Sequence, residues 1–304
     1  MIKAMKKIIV DFLASKGEVK LPPYQYSSYN LTYPCVDHDV GDGVEARMPV
    51  CKITEEEQQE MFDAFKETLA RYKINWSALR AIMVATGAVI SGSTALAVLL
   101  RGEFVPQDLD IYVNAKGFTA VLAFLMNHGY HVVISQPHYA AHKKNYPNSE
   151  YVLTLKRDGE LEGVKIDLIG TTEAHVLATI TQFHSTSVMN YIAFYGIVCL
   201  YPEWTMQRNG LVTRRNVSYK ILDKYRGRGF KIAYTSAELA KYDIDHDCGE
   251  HICCPRMRRD LRDGLSLFIP FDDRATDIHE LEDNEHMNLQ WMLREVRDCR
   301  KTVK

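Results

Sequence analysis

The 304-residue sequence predicts an α+β fold, in which a mixed sheet is preceded by helices and followed by a mainly helical C-terminal region. Three observations support this prediction. Apolar residues recur at helical intervals over residues 54–83, short apolar strands and helices alternate from Gly87 to Ile169, and the helical pattern returns after Thr171. Strands and helices mixed within one segment are typical of α/β and α+β domains.

Capping signals and periodicity predict the helices before the sheet. Residues 2–15 predict a short helix, and the stretch rich in Tyr, Pro and Gly that follows to residue 52 predicts an irregular arm. Thr54 precedes Glu57 at the spacing of a capping box, with an apolar stripe after it. A second helix is predicted over Trp76–Met83.

The segment from Gly87 onward predicts the sheet. We expect strands over Ala88–Ser91, Leu109–Val113 and Tyr130–Ile134, and helices over Thr94–Leu100 and Phe118–Asn127. Two further strands, Tyr151–Lys156 and Val164–Ile169, flank the turn-forming residues 157–160 and predict a hairpin. The last predicted element is an amphipathic helix over Ile278–Val303.

Composition restricts the class of protein. A net charge of -2, with 46% hydrophobic and 25% charged residues, indicates a globular protein without polyelectrolyte character. Seven scattered cysteines do not resemble a disulfide framework, which favours reduced thiols and a cytoplasmic or nuclear location. The uncharged run 81–100 is long enough for a membrane span, but its centre at 86–94 is polar and contains glycine. A strand, a turn and a helix explain this run, so we expect no membrane partner.

The first motif that points to chemistry is the strand–turn–helix sequence around Gly92 and Ser93. Glycine lets a phosphate approach the backbone, the helix N-terminus offers unpaired N–H groups, and Ser93 adds a hydroxyl donor. In the second motif, Asp108 and Asp110 are two residues apart in a strand, so their carboxylates share one face. Because paired carboxylates repel one another, this arrangement favours a divalent cation between them.

The third motif is Asp167, which stands between Ile166 and Leu168 in an apolar strand. A carboxylate there is costly to desolvate without a partner, so it suits a third metal ligand beside the first pair. Taken singly, each of the three motifs is also explained by an ordinary turn or by aspartates at a strand end.

In this order, the three motifs resemble those of the DNA polymerase β-like nucleotidyltransferase superfamily, and they cover residues 88–169. The phrases Phe183–Thr186 and Leu200–Pro202 resemble uncharacterised fungal members. With this resemblance, the element order predicts an N-terminal arm at 1–53, a nucleotidyltransferase catalytic core at 54–170 and a C-terminal, substrate-binding helical region at 171–304.

The resemblance implies transfer of a nucleoside monophosphate from a nucleoside triphosphate, such as ATP, to a hydroxyl acceptor, with release of pyrophosphate. Asp108, Asp110 and Asp167 would be catalytic and would hold Mg²⁺ or Mn²⁺, one ion at the triphosphate and a second at the attacking hydroxyl. Gly92 and Ser93 would hold the β- and γ-phosphates. The acceptor stays open among a small molecule, a protein and RNA.

Two further clusters suggest ligands. Eight basic residues stand against two acidic ones over residues 201–231, and we expect Arg214 and Arg215 to contact the nucleotide. A solvated basic face is the alternative. Four ligands, the number that Zn²⁺ needs, can be drawn from His246, Cys248, His251, Cys253 and Cys254, with the first four as the predicted set. Their span is compact, and chance packing is the alternative.

Two other functions remain open. A catalytically inactive nucleotide-binding or scaffold protein of the same fold would be indicated by loss of a metal-binding acid, and none is lost. A glycosyltransferase with an Asp-x-Asp motif also binds nucleotides through a divalent ion, but its strand–helix units normally begin near the N-terminus, where helices are predicted here.

Overall fold

The computed structural model describes residues 53–133, 149–157, 164–171, 175–214, 217–239, 254, 257–271 and 285–293. These residues confirm the α+β class, because they form seven α-helices, three short 3₁₀ helices and twelve strands. They all belong to one unit, Gly43–Lys304. The predicted helix at 2–15 and the arm to residue 52 lie outside the described residues.

Local signals set the limits of the first two helices, α1 (Glu55–Arg71) and α2 (Trp76–Thr86). The Thr54 hydroxyl accepts a hydrogen bond from the Glu57 N–H at 3.2 Å, and the Glu57 carboxylate accepts one from the Thr54 N–H at 3.0 Å. The predicted capping box is therefore confirmed. Helix α2 continues three residues beyond its predicted end and stops at Gly87, whose φ of 65° ends a helix without steric cost.

The remaining helices and the strands alternate along the chain. The helices are α3 (Gly92–Leu99), α4 (Phe118–Asn127), α5 (Val176–Ile180), α6 (Pro202–Thr205) and α7 (Tyr219–Arg226). The strands are β1 (Val89–Ser91), β2 (Asp108–Asn114), β3 (Tyr130–Val132), β4 (Ser149–Arg157), β5 (Lys165–Thr171), β6 (Asn190–Ala193), β7 (Gly196–Cys199), β8 (Asn209–Leu211), β9 (Lys231–Ala233), β10 (Arg259–Asp260), β11 (Leu267–Pro270) and β12 (Gln290–Trp291).

Eight strands form one mixed sheet in the order β11-β7-β6-β1-β2-β5-β4-β3. Strands β2 and β5 are parallel, and the other neighbours in this sheet are antiparallel. The predicted hairpin is present as β4 and β5. Strands β6, β7 and β11 follow residue 170 and belong to this sheet, so the elements after the predicted catalytic core complete its sheet. The division of the chain at residues 53 and 170 stays a prediction.

The region after Thr171 contains strands as well as the expected helices. Hairpin β6–β7 is wholly buried, and short buried apolar runs of this kind have no periodicity that separates a strand from a helix. The predicted helix at Ile278–Val303 is wrong over 285–293, where a 3₁₀ helix (Glu285–Asn288) precedes β12. Trp291 is buried there and pairs with Arg259 of β10, so tertiary packing overrides the amphipathic pattern.

One hydrophobic core joins the sheet to the C-terminal elements. It includes Leu96 of α3, Tyr112 of β2, Tyr191 of β6, Leu222 of α7 and Trp291 of β12. Helix α7 is therefore anchored by its apolar side on the same core as the strands that carry the aspartates. Among the described residues, no helix has both the length and the apolar character needed to cross a membrane.

Candidate functional site

The register of β2 and β5 brings three aspartates together. In this parallel pair Asp110 lies opposite Asp167, and Asp108 lies opposite Lys165. Residues two apart in a strand point to the same face, so all four side chains share one face of the sheet. Each aspartate offers one carboxylate oxygen, and these oxygens all lie within 4.8 Å of one another. The sequence-predicted acids thus form one cluster.

Burial makes this cluster sensitive to charge. Asp110 is 6% exposed and Asp167 is 2% exposed, and the Thr154 hydroxyl donates a hydrogen bond to Asp167 Oδ1 at 2.6 Å. Lys165 Nζ lies 3.4 Å from Asp108 Oδ2 and 3.9 Å from Asp167 Oδ2. Desolvation would lower the pKa of Lys165, but the carboxylates outweigh it, so that the pKa is raised and the ammonium is retained.

The chemistry of the cluster fits a hard divalent cation. Mg²⁺ and Mn²⁺ prefer oxygen ligands, and carboxylates at this mutual spacing can bind one ion together. Carboxylates this close repel one another, and a cation among them removes that repulsion. The three aspartates could therefore hold a divalent cation, and their chemistry does not specify which one.

The turn between β1 and α3 lies directly beside Asp110. Strand β1 pairs with β2, and its last residue, Ser91, lies opposite Asp110. Gly92 is the next residue and therefore lies next to Asp110. Gly92 has a φ of +67°, and a Cβ built on it would overlap Asp110 Oδ2. Both the backbone conformation and the close approach of the carboxylate therefore require glycine at this position.

The N-terminus of α3 carries hydrogen-bond donors that the turn does not satisfy. Ser91 makes no side-chain cap, because its hydroxyl donates instead to the Asn190 carbonyl oxygen at 2.5 Å. The Ser93 hydroxyl is buried and has no hydrogen-bond partner among the described residues, which is uncommon for a buried hydroxyl. These donors and the positive end of the helix dipole suit an anion.

Helix α7 brings positive charge to the aspartates, although the sequence prediction named other residues. Lys224 interacts electrostatically with Asp108 and Asp110, and Arg228, just after α7, interacts with Asp108. The Arg228 guanidinium lies 3.9 Å from the centroid of the Phe104 ring, and its buried Nη1 has no hydrogen-bond partner within the part of the chain that the structure describes. The basic excess over residues 201–231 indicated that some basic side chains bind a ligand. Only the folded structure shows that Lys224 and Arg228 are the ones that interact with the aspartates.

Of the two arginines predicted to contact the nucleotide, the structure describes Arg214 but not Arg215. Arg214 follows β8, and its charge acts on His184, whose pKa falls to about 4 because of burial first and then of Arg214 and Lys224. His184 is therefore neutral at neutral pH. Arg214 and Lys224 thus both act on His184, whereas Arg215 lies outside the described residues.

Other basic residues of the stretch serve packing. Arg208 forms an ion pair with Glu103 and donates a hydrogen bond to the Arg228 carbonyl oxygen at 2.8 Å. Arg226 pairs with Asp223 at 2.8 Å on the exposed side of α7. Both arginines therefore have acidic partners of their own, unlike a residue held for a ligand.

The predicted zinc ligands His246, Cys248, His251 and Cys253 lie outside the described residues. Within the part of the chain that the structure describes, the aspartate cluster is the one group of three or more ligand-type side chains close enough to share a metal. The zinc site stays a prediction.

No protein-family model and no curated protein matches the chain. Two solved structures of CCA-adding enzymes are similar to it. The complex with CTP has 14% identity and a TM-score of 0.34, covering 48% of this chain and 35% of that chain. An apo form has 14% identity and a TM-score of 0.39, covering 57% and 43%. This chain thus spans less than half of each enzyme chain, and the likeness decides neither activity nor substrate. The resemblance to fungal proteins stays a prediction.

Proposed function

We propose that the protein is a metal-dependent nucleotidyltransferase, which transfers a nucleoside monophosphate from a nucleoside triphosphate to a hydroxyl acceptor and releases pyrophosphate. One observation carries this proposal. Three carboxylate oxygens lie within 4.8 Å of one another, beside a glycine turn whose Ser93 hydroxyl is buried and has no hydrogen-bond partner in the described ranges. Metal ligands and anion donors next to each other suit a metal-bound phosphate.

In this proposal the aspartates have distinct tasks. Asp108, Asp110 and Asp167 hold Mg²⁺ or Mn²⁺. The metal, when bound, supplies charge neutralisation at the phosphates and lowers the pKa of the acceptor hydroxyl. Asp167, held by the Thr154 hydrogen bond, takes up the proton of that hydroxyl.

The phosphates are bound from two sides. Gly92 lets them approach the backbone, and the Ser93 hydroxyl and the first N–H groups of α3 donate to the β- and γ-phosphates. Lys224 of α7 and Arg228, just after that helix, compensate phosphate charge, since both already interact with Asp108. Arg214 and Arg215 are retained as nucleotide contacts. The acceptor is a small molecule, a protein or RNA, and a cytoplasmic or nuclear location remains part of the proposal.

The test uses each of the four nucleoside triphosphates, labelled at the α-phosphate, with Mg²⁺ and with separate RNA, protein and small-molecule fractions of a cell extract. We expect the label to enter one fraction and pyrophosphate to be released. Asp110→Asn should abolish both, because it removes a ligand charge. Asp63→Asn is the matched control, since Asp63 is an exposed residue of α1 paired with Lys66.

Three results would count against the proposal. Full transfer by Asp110→Asn would show that the cluster is not catalytic. Metal-dependent nucleotide binding without label transfer to any fraction would favour the inactive scaffold. Activity with sugar nucleotides alone would favour the glycosyltransferase.

A second arm of the same experiment tests the contribution of α7. Lys224→Met and Arg228→Met should weaken binding of a triphosphate much more than binding of the corresponding monophosphate, which has fewer charges to compensate. Arg226→Met, on the same helix but paired with Asp223, should change neither. Equal losses for the two ligands would remove Lys224 and Arg228 from the phosphate site.

A further inference from the structure

A fourth side chain belongs to the aspartate cluster, and it is a cation. Lys165 lies opposite Asp108 across the β2–β5 pair and two residues before Asp167, so it shares their face of the sheet. Its Nζ lies 3.4 Å from Asp108 Oδ2 and 3.9 Å from Asp167 Oδ2. Two of the candidate metal ligands are thus paired with the same ammonium.

A divalent ion would have to compete with that ammonium. An ion bound to Asp108 and Asp167 at about 2.1 Å from each oxygen enters the space around the same two carboxylates. The two positive charges would repel each other there. Lys165 can leave, because its side chain is 35% exposed and its four-carbon stem is flexible.

We propose that Lys165 is a resident counter-cation that sets the metal affinity of this site. It stabilises the neighbouring carboxylates when no metal is bound, and a divalent cation displaces it. The inference rests on the proposed metal site and assigns Lys165 a role in positioning the carboxylates. Because Lys165 competes with the metal, the site should bind the free metal ion more weakly than it would with the three carboxylates and no lysine.

The test measures Mn²⁺ binding by the full-length protein, with the free ion followed by electron paramagnetic resonance. Lys165→Met removes the ammonium and keeps most of the side-chain length, and we expect its Kd for Mn²⁺ to fall about tenfold. Lys165→Arg keeps the charge and should stay close to the wild-type Kd. Lys66→Met is the control, because the Lys66 side chain is 68% exposed on α1 and already pairs with Asp63 of the same helix.

Thermal unfolding separates this role from a purely structural one. Without metal, Lys165→Met should have a lower Tm than the wild type, and Mn²⁺ should raise its Tm by more. Lys165→Gln provides the same comparison if the methionine variant does not fold. A merely structural lysine would lower both melting temperatures without tightening Mn²⁺ binding.

The outcomes distinguish this inference from the proposed function. If the wild type binds Mn²⁺ and the folded Lys165 variants bind it equally or more weakly, the role of Lys165 is overturned and the metal site stands. If neither the wild type nor the variants bind Mn²⁺, the metal site is overturned and the inference with it.

Discussion

Replacing Gly92 by alanine should disturb the proposed metal site through a single methyl group. Gly92 has a φ of +67°, and an added Cβ would overlap Asp110 Oδ2. The left-handed conformation alone costs a non-glycine residue about 1–2 kcal/mol. Displacing the buried Asp110 carboxylate adds the cost of overpacking, typically about 1–3 kcal/mol. We therefore expect Gly92→Ala to lower the free energy of unfolding by about 2–5 kcal/mol.

Gly264 offers a control that isolates the contact from the backbone strain. It has a φ of +70°, and a Cβ built on it would meet nothing within 4 Å. Gly264→Ala should therefore lose only about 1–2 kcal/mol. The difference between the two variants, measured by urea unfolding without metal, is the part due to Asp110.

The same pair of variants should differ in metal binding. Because Gly92→Ala moves one ligand carboxylate, we expect its Kd for Mn²⁺ to rise at least about tenfold, as when ligand orientation is disturbed at other metal sites. Gly264→Ala should bind Mn²⁺ like the wild type. Equal stability losses in the two variants, or wild-type Mn²⁺ affinity in Gly92→Ala, would refute the close approach of Gly92 and Asp110.

Two further predictions concern stability away from the site. Arg259 is 1% exposed and forms an ion pair with Asp263, so Arg259→Met should lower the free energy of unfolding in urea by about 3–5 kcal/mol. Arg226 is exposed, and Arg226→Met should lower it by less than about 1 kcal/mol. Similar losses in the two variants would contradict this prediction. Burial, and then His175, lower the pKa of His286 to about 3 in the folded protein. The unfolded state therefore binds a proton first, and stability should fall as pH drops from about 6.5 towards 3. His286→Gln should flatten this dependence, and an unchanged slope would exclude the effect.

The sequence predicts those parts of the fold that depend on neighbouring residues. Capping by Thr54 and Glu57 starts α1 where expected, and α4 has the predicted bounds Phe118–Asn127. The motifs at Gly92, Asp108 and Asp167 are also local, since each needs only a strand and the residues beside it. Their clustering could be expected because the resemblance implies it, and the register of β2 and β5 supplies the physical cause.

Residues that depend on long-range pairing could not be found in this way. Strand β11 completes the sheet by pairing with β7, from which it is separated by residues 200–266. Lys165 is an exception, because a residue two before Asp167 in a strand shares its face, and this follows from the local sequence. Lys224 and Arg228 were visible only as part of a basic excess, and their electrostatic interactions with the aspartates arise from the folding of the chain between residues 114 and 219.

The protein has a net charge of -2, but its charges are unevenly distributed. Acidic side chains lie on the sheet and basic ones on and just after α7, and this distribution would let the proposed site bind a polyanion. The aspartates alone would repel a triphosphate, and Lys224 and Arg228 alone would repel a metal ion. In the proposed function, the two sets of charges together complement a metal–nucleotide complex, in which both signs are present. Such a site should bind the metal–nucleotide complex more tightly than the metal ion alone or the nucleotide alone. Lys165 should increase this difference, because it weakens binding of the free ion.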